Sequence, residues 1–483
     1  MKRKSVWDSY KKADFKELEA LSERYKKCLD AGKTERECVK LAVRMAEEAG
    51  YQDLDILIEQ EEAGKKGKAG VKTAQEKLPF LKAGDKVYRN YMGKALMLVQ
   101  IGSESITKGM NILGAHIDSP RLDVKQNPLY ESEELAYLDT HYYGGIKKYQ
   151  WVTVPMAIHG VFAKKSGEVV EVSIGEKEDD PVFVFTDLLI HLASAQMDKK
   201  ASVVVEGEKL DLLIGSRPLK QTKDLSDDEK KAVQANVLKL LKDSYGVKEE
   251  DFLSAELEIV PAGRARDCGL DRSMVIGYGQ DDRVCAFSSL FAMLDTPASK
   301  RTICTLLVDK EEIGSVGATG MHSRFFENTV SDLVALTEGE SERSVRRAIA
   351  SSCMLSSDVS AAYDPLYASV FEKRSAAFLG QGIAFNKHTG ARGKSGSSDA
   401  NAEYIAKLRK IMDDAGAAFQ ITEMGKVDAG GGGTIAYIMA NYGMEVIDCG
   451  VAVLNMHAPF EVTSKADFYE VVKGYRAFLK YEG

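Results

Sequence analysis

Asn111-Ile112-Leu113-Gly114-Ala115-His116-Ile117-Asp118-Ser119-Pro120 is the stretch that decides the fold. It opens as a short apolar run and closes at a Pro-containing turn, the pattern of a strand buried in a sheet. A histidine and a carboxylate stand two residues apart where that strand runs out. In an extended backbone, residues i and i+2 point to the same side. Asp118 can therefore reach the far nitrogen of His116, fix its tautomer and make it a better metal ligand.

Upstream, Val87 to Tyr91 and Ala95 to Val99 read as neighbouring strands, and residues 8–63 read as helices. Leu18, Leu21 and Tyr25 share one helical face, as do Cys38, Leu41, Ala42 and Met45. Ala63 to Lys72 reads as a loop. From Met274 onward helix and strand alternate. Strands are expected at Ile303–Val308, Leu333–Leu336, Ser352–Ser356 and Glu445–Val453. Helices are expected at Val284–Leu294, Ser341–Ala350, Asp399–Ala415, Thr434–Tyr442 and Lys465–Tyr481. That rhythm implies an α/β layer structure. Residues 126–260 differ in texture, with short runs at 152–154, 169–172, 182–185, 212–214 and 257–260 and a charged segment, Lys220 to Asp251. The expected organisation is a discontinuous α/β domain, 1–125 and 261–483, interrupted by a mostly β insertion, 126–260.

The 483 residues carry a net charge of −8, with 44% hydrophobic residues and mixed charges. No basic excess marks a nucleic-acid surface. No apolar run is long enough for a membrane span, and none follows the basic start as a signal peptide requires. Seven cysteines without a CxxC pair suggest reduced thiols. A cytoplasmic protein is the expectation.

Four further segments place hard metal ligands beside strand ends, where sites gather in open α/β sheets. In Gly279-Gln280-Asp281-Asp282-Arg283, Asp281 is the candidate bridge between two ions and Asp282 the expected partner of Arg283. A helix N-cap is the plainer reading of that turn. Leu306 to Gly314 runs out into Glu311-Glu312, of which one can bind metal while the other moves a proton. Asp358 follows Leu355-Ser356-Ser357. His457 follows the apolar Val453-Leu454, within Val453-Leu454-Asn455-Met456-His457-Ala458-Pro459-Phe460-Glu461. Taken singly, each reads equally as a turn, a cap or a packed histidine. Their order at successive strand ends is the ligand set of a two-zinc peptidase: each metal takes a histidine, a carboxylate and the shared Asp, leaving room for water.

These segments resemble the metallopeptidase family that contains aspartyl aminopeptidase and bacterial aminopeptidase I. The carriers are Gly114 to Pro120, Gln280 to Arg283, Asp309-Lys310-Glu311-Glu312-Ile313-Gly314-Ser315, Ser357-Asp358, Gly430-Gly431-Gly432-Gly433-Thr434 and Met456-His457. The resemblance spans nearly the whole chain. It implies a catalytic α/β domain interrupted by a dimerisation domain, and a tetrahedral homododecamer built from dimers. It implies two divalent ions, zinc before Mn²⁺ or Co²⁺, and peptides with a free N-terminus as substrates. By resemblance, His116 and Asp358 hold one ion, Glu312 and His457 the other, and Asp281 bridges them. Glu311 is the general base and Asp118 orients His116. In the aspartyl-specific branch a lysine stands two places before the asparagine matching Asn386, and a neighbouring subunit lends a histidine. The matching positions here are Ala384 and Asp187, which removes positive charge suited to an acidic substrate.

Other signals fail. Gly393-Lys394-Ser395 lacks the phosphate-loop spacing. No HExxH and no G-x-S-x-G occurs. The glycines at 430–433 read as a substrate-channel lining or a bare turn, and His388 as a packing residue or a substrate contact. A two-metal deacylase of acylated amino acids, and a silent assembly protein, are the competing functions. The second predicts a lost base or ligand, and none is lost.

Overall fold

The computed structural model describes residues 5–67, 80–219 and 232–482. Residues 63–67, expected as a loop or a solvated face, end the helix Leu54–Gly67, while 68–72 and, of the charged segment, 220–231 lie outside the described residues. The chain divides into two compact units. One comprises the chain up to Asp118, 266–456 and 461 onward; the other comprises 119–265 with 457–460.

The first unit is built on a nine-stranded sheet. Its order is β1 (Gln52–Asp53), β2 (Lys86–Tyr91), β3 (Ala95–Gln100), β14 (Thr302–Val308), β4 (Met110–His116), β15 (Cys353–Ser357), β19 (Glu445–Gly450), β17 (Ile383–Asn386) and β18 (Phe419–Thr422). The strands β14, β4, β15 and β19 run parallel, with Val308 beside His116, Gly114 beside Ser356 and Ser356 beside Asp448. Their carboxyl ends are thus level, and the residues that follow them meet. Every residue of β4 and β14 is buried, which explains why these strands read as continuous apolar runs rather than alternating ones. Helices Phe325–Thr337, Glu342–Ala350 and Ala436–Ala440 pack into one core with them. Helices Gln280–Asp295 and Lys465–Leu479 pack against each other, and the first of them against β4. A smaller sheet joins β12 (Arg266–Cys268), β13 (Met274–Gly277), β21 (Glu461–Ser464), β20 (Ala452–Leu454) and β16 (Ser360–Ala361).

One expected strand is corrected. Leu333–Leu336 lies inside the helix Phe325–Thr337, where Phe326, Val330, Leu333 and Val334 are buried together. Its apolar run is the core face of a helix, and the helical spacing beyond it was the deciding signal.

The second unit is a seven-stranded sheet in the order β8 (Val169–Ile174), β7 (Met156–Ala163), β11 (Ala255–Pro261), β5 (Arg121–Ser132), β6 (Leu135–Tyr143), β10 (Leu212–Gly215) and β9 (Val184–Phe185). All its pairings are antiparallel. Val152–Val154, expected as a strand, forms a turn.

Two buried carboxylates in the first unit make its stability pH-dependent. Asp467, at the start of the C-terminal helix, accepts the Gly380 and Gly382 N–H groups at 2.8 and 2.7 Å. Asp448, on β19, accepts the Thr434 and Ser356 hydroxyls at 2.6 and 3.2 Å. Burial pushes both up to about 7. The folded protein then keeps protons that the unfolded chain releases above about pH 4. Their contribution is present at low pH and is lost as pH rises through about 7. The Tm of Asp448→Asn is expected to fall less than that of the parent between pH 5 and pH 8, measured by calorimetry.

Candidate metal centre

His116 is the last residue of β4 and is 2% exposed. Its Nδ1 lies 3.0 Å from the Asp118 carbonyl and 3.2 Å from Asp118 Oδ1. Both neighbours are acceptors, so Nδ1 keeps a proton there and, when the ring is neutral, Nε2 carries the lone pair. Nε2 faces Asp281 Oδ1 at 3.3 Å and Glu311 Oε2 at 3.8 Å. Asp118 performs a second task. Its two oxygens accept the Glu311 and Glu312 N–H groups, each at 3.1 Å. One buried carboxylate therefore ties the histidine to the turn after β14. That turn, Glu311–Ile313, is bounded by Lys310 at φ 68° and Gly314 at φ 95°, and it leaves both glutamate side chains half-buried.

Asp281 and Asp282 open the helix Gln280–Asp295, and the peptide bond between them is cis. Gly279 precedes them at φ 65°, and a Cβ there would fall 1.6 Å from Arg283 Nη2. Only glycine leaves room for that guanidinium. Arg283 is fully buried and donates to the carbonyls of Gly279 (2.9 Å), Tyr278 (3.4 Å) and Gly32, lying over the Tyr278 ring. The expected Asp282–Arg283 pair is thus not formed; backbone carbonyls hold the arginine instead. Asp282 is fully buried, and neither of its oxygens meets a hydrogen-bond donor among the described residues.

Asp358 follows β15, and its N–H donates to the Cys449 carbonyl at 2.8 Å. A Cβ at Gly450 would sit 2.1 Å from the Asp358 carbonyl oxygen, so a glycine is needed for this close approach. The result is two groups that share one imidazole. Ligand atoms of His116, Asp281 and Glu312 lie within 4.8 Å of one another, and so do those of His116, Asp282 and Asp358.

The charges are not at rest in this arrangement. Burial, followed by neighbouring carboxylates including Asp281, raises Asp282 well above the usual range, against a lowering pull from His116. Burial and then Asp282 raise Asp358 likewise. Burial opposes charge on His116, but Asp118, Asp281 and Glu311 outweigh it and raise that histidine well above its usual value. A buried carboxylate with no donor, beside two more and an imidazole, is a poor hydrogen-bonding site but a fitting one for a cation. The nitrogen and oxygen donors suit Zn²⁺, Mn²⁺ or Co²⁺.

His457 belongs to the short segment 457–460 that groups with the second unit. Its φ is 64°, and its Nδ1 donates to the Gly145 carbonyl at 2.7 Å, which leaves Nε2 as the lone-pair nitrogen. Of the seven residues singled out from the sequence, six therefore converge within the first unit and His457 is placed in the second. Sequence reasoning gave Asp282 to Arg283 and so missed its place in the cluster. The signal available was the doubling of carboxylates at a strand-to-helix junction.

A shared histidine and paired carboxylates at the level ends of parallel strands define a candidate metal centre on an α/β fold. The chain belongs to the M18 peptidase family, aminopeptidase I zinc metalloproteases, whose model matches residues 57–479. It is accordingly a zinc aminopeptidase, a hydrolase of peptide bonds. A "Probable M18 family aminopeptidase 1" of Clostridium acetobutylicum is 57% identical over 476 residues, covering 99% of this chain and 98% of its own. The crystal structure of aminopeptidase I from Clostridium acetobutylicum superposes with a TM-score of 0.88 at 54% identity, covering 100% of both chains. A dodecameric S. cerevisiae mApe1 shares the fold, with a TM-score of 0.74 at 19% identity over 96% of this chain and 97% of that one. No helix among the described residues is long and apolar enough to cross a membrane.

Proposed function

We propose that this aminopeptidase removes the first residue of peptides with two divalent ions. His116 and Asp358 would hold one and Glu312 and His457 the other, with Asp281 shared between the two, and Glu311 would act as general base. The observation that carries the proposal is the double grip of Asp118, which aims His116 and sets the Glu311–Glu312 backbone in one contact. When bound, such ions would supply Lewis-acid polarisation of the scissile carbonyl and a lowered pKa for water. Glu311 takes the proton of the attacking water and returns it to the leaving amine nitrogen. Its half-buried carboxylate, 3.8 Å from His116 Nε2, supports that role. Asp118, held by its two N–H donors and His116, orients the site and moves no proton.

The second unit, under this proposal, is the dimerisation domain of a cytoplasmic homododecamer. Supporting it is an exposed apolar run, Leu188, Leu189, Ile190, Leu192 and Met197, longer than a monomer ordinarily leaves in water. All seven cysteines are unpaired, as in a reducing compartment.

Neither Ala384, fully buried in a cluster with Ala362, Ala377 and Ala452, nor Asp187 offers a positive charge to an acidic first residue. Aminoacyl substrates with neutral first residues are expected to be cleaved at least about tenfold faster, in kcat/KM, than those with Asp or Glu. The same panel should include N-acetyl dipeptides. Preference for the acetylated form would replace the aminopeptidase mechanism by the deacylase one.

A further inference from the structure

Glu461 closes the last sequence segment and has no part in the ligand set, yet the structure brings it to the cluster. It opens β21, level with Gly277 on β13, and is 1% exposed. Its Oε2 accepts the N–H of Asp281 at 2.9 Å. Its own carbonyl accepts from Gln280 Nε2, which also donates to the Val275 carbonyl at 3.2 Å. The Gln280 side-chain oxygen in turn accepts the Tyr25 hydroxyl at 3.1 Å. Tyr25 and Gln280 are both fully buried. Three side chains from three separate parts of the chain thus clamp one residue on either side of the Gln280–Asp281 peptide. This is where the backbone departs from helical geometry, at φ −80° and ψ 107° for Asp281.

We propose that Glu461 is a positioning residue for metal binding: it fixes the Asp281 backbone and adds a negative charge behind the ion pair site. The proposal rests on Asp281 being a ligand. An uncharged acceptor would satisfy a backbone N–H equally well, and a buried carboxylate costs more to desolvate than an amide. Its charge is compensated when cations stand beyond Asp281. Gln280 and Tyr25 hold the other flank, so that Asp281 presents its carboxylate at one setting rather than several. Outer contacts of this kind change metal affinity by about 10–100-fold when removed.

The test is zinc titration of the metal-stripped full-length protein, by competition with a chromophoric chelator, beside the Tm of the same metal-free sample. Glu461→Gln keeps the shape and one acceptor oxygen but removes the charge. It is expected to weaken zinc binding about tenfold while leaving the metal-free Tm unchanged or higher. Tyr25→Phe, which removes only the hydroxyl, is expected to weaken zinc about two- to threefold and serves if Glu461→Gln does not fold. Zinc affinity within experimental error of the parent in either folded variant overturns the proposal, as does a loss that vanishes once a lowered metal-free Tm is allowed for. If the parent itself takes up no zinc, the metal-centre assignment fails instead, and the two failures are told apart by that control.

Discussion

Glu311→Gln is expected to lower kcat by about 10²–10⁴-fold, the usual contribution of a positioned general base. Metal content and Tm should stay at the parent's values. The variant keeps the side chain's volume and leaves the Glu311 N–H on Asp118, so the turn that carries Glu312 is undisturbed. KM should change little, because the amide still fills the space beside His116 Nε2. Turnover within about fivefold of the parent would remove Glu311 from proton transfer and direct attention to the other carboxylates of the cluster.

Removal of metal by a strong chelator is expected to take activity to background and to lower Tm, with zinc restoring both. At a free zinc concentration about 100 times Kd, binding adds about 2.7 kcal/mol to stability. The metal-free cluster is poorly compensated: Asp282 is buried without a donor, and burial holds it and Asp358 toward their protonated forms. Zinc must displace those protons, so apparent affinity is expected to rise with pH. Differential scanning fluorimetry of stripped and reloaded protein at pH 6 and pH 8 reads this directly. A zinc-induced Tm shift that is larger at pH 6 than at pH 8 would contradict it.

The parallel core of the first unit was legible because β4, β14 and β15 are buried on both faces and read as plain apolar runs. The metal-site candidates were legible because each stands at, or within four residues of, the end of a strand. What escaped is equally specific. The hairpin of β5 and β6 alternates polar and apolar residues and is broken by a register shift between Val124 and Leu129, so no uniform period marks it. Leu333–Leu336 looks like a strand only if its flanking turns are ignored. The partners of Arg283 could not be read from side-chain spacing, because they are backbone carbonyls, of Gly279 and Tyr278 close by and of Gly32 some 250 residues away. Adjacency in sequence favoured Asp282, while a left-handed Gly279 turned the guanidinium aside and left that carboxylate to the cluster.

Arg283's reach to Gly32 and Gln280's to Tyr25 tie the helical stretch before residue 57 to the turn that carries Asp281. The foundation under Asp281 is thus laid partly by residues some 250 positions earlier in the chain. Relatives that differ there would inherit the same ligands on a differently braced floor. An exchange of the leading helices between two such enzymes would therefore be felt as altered metal retention, although no ligand had been touched.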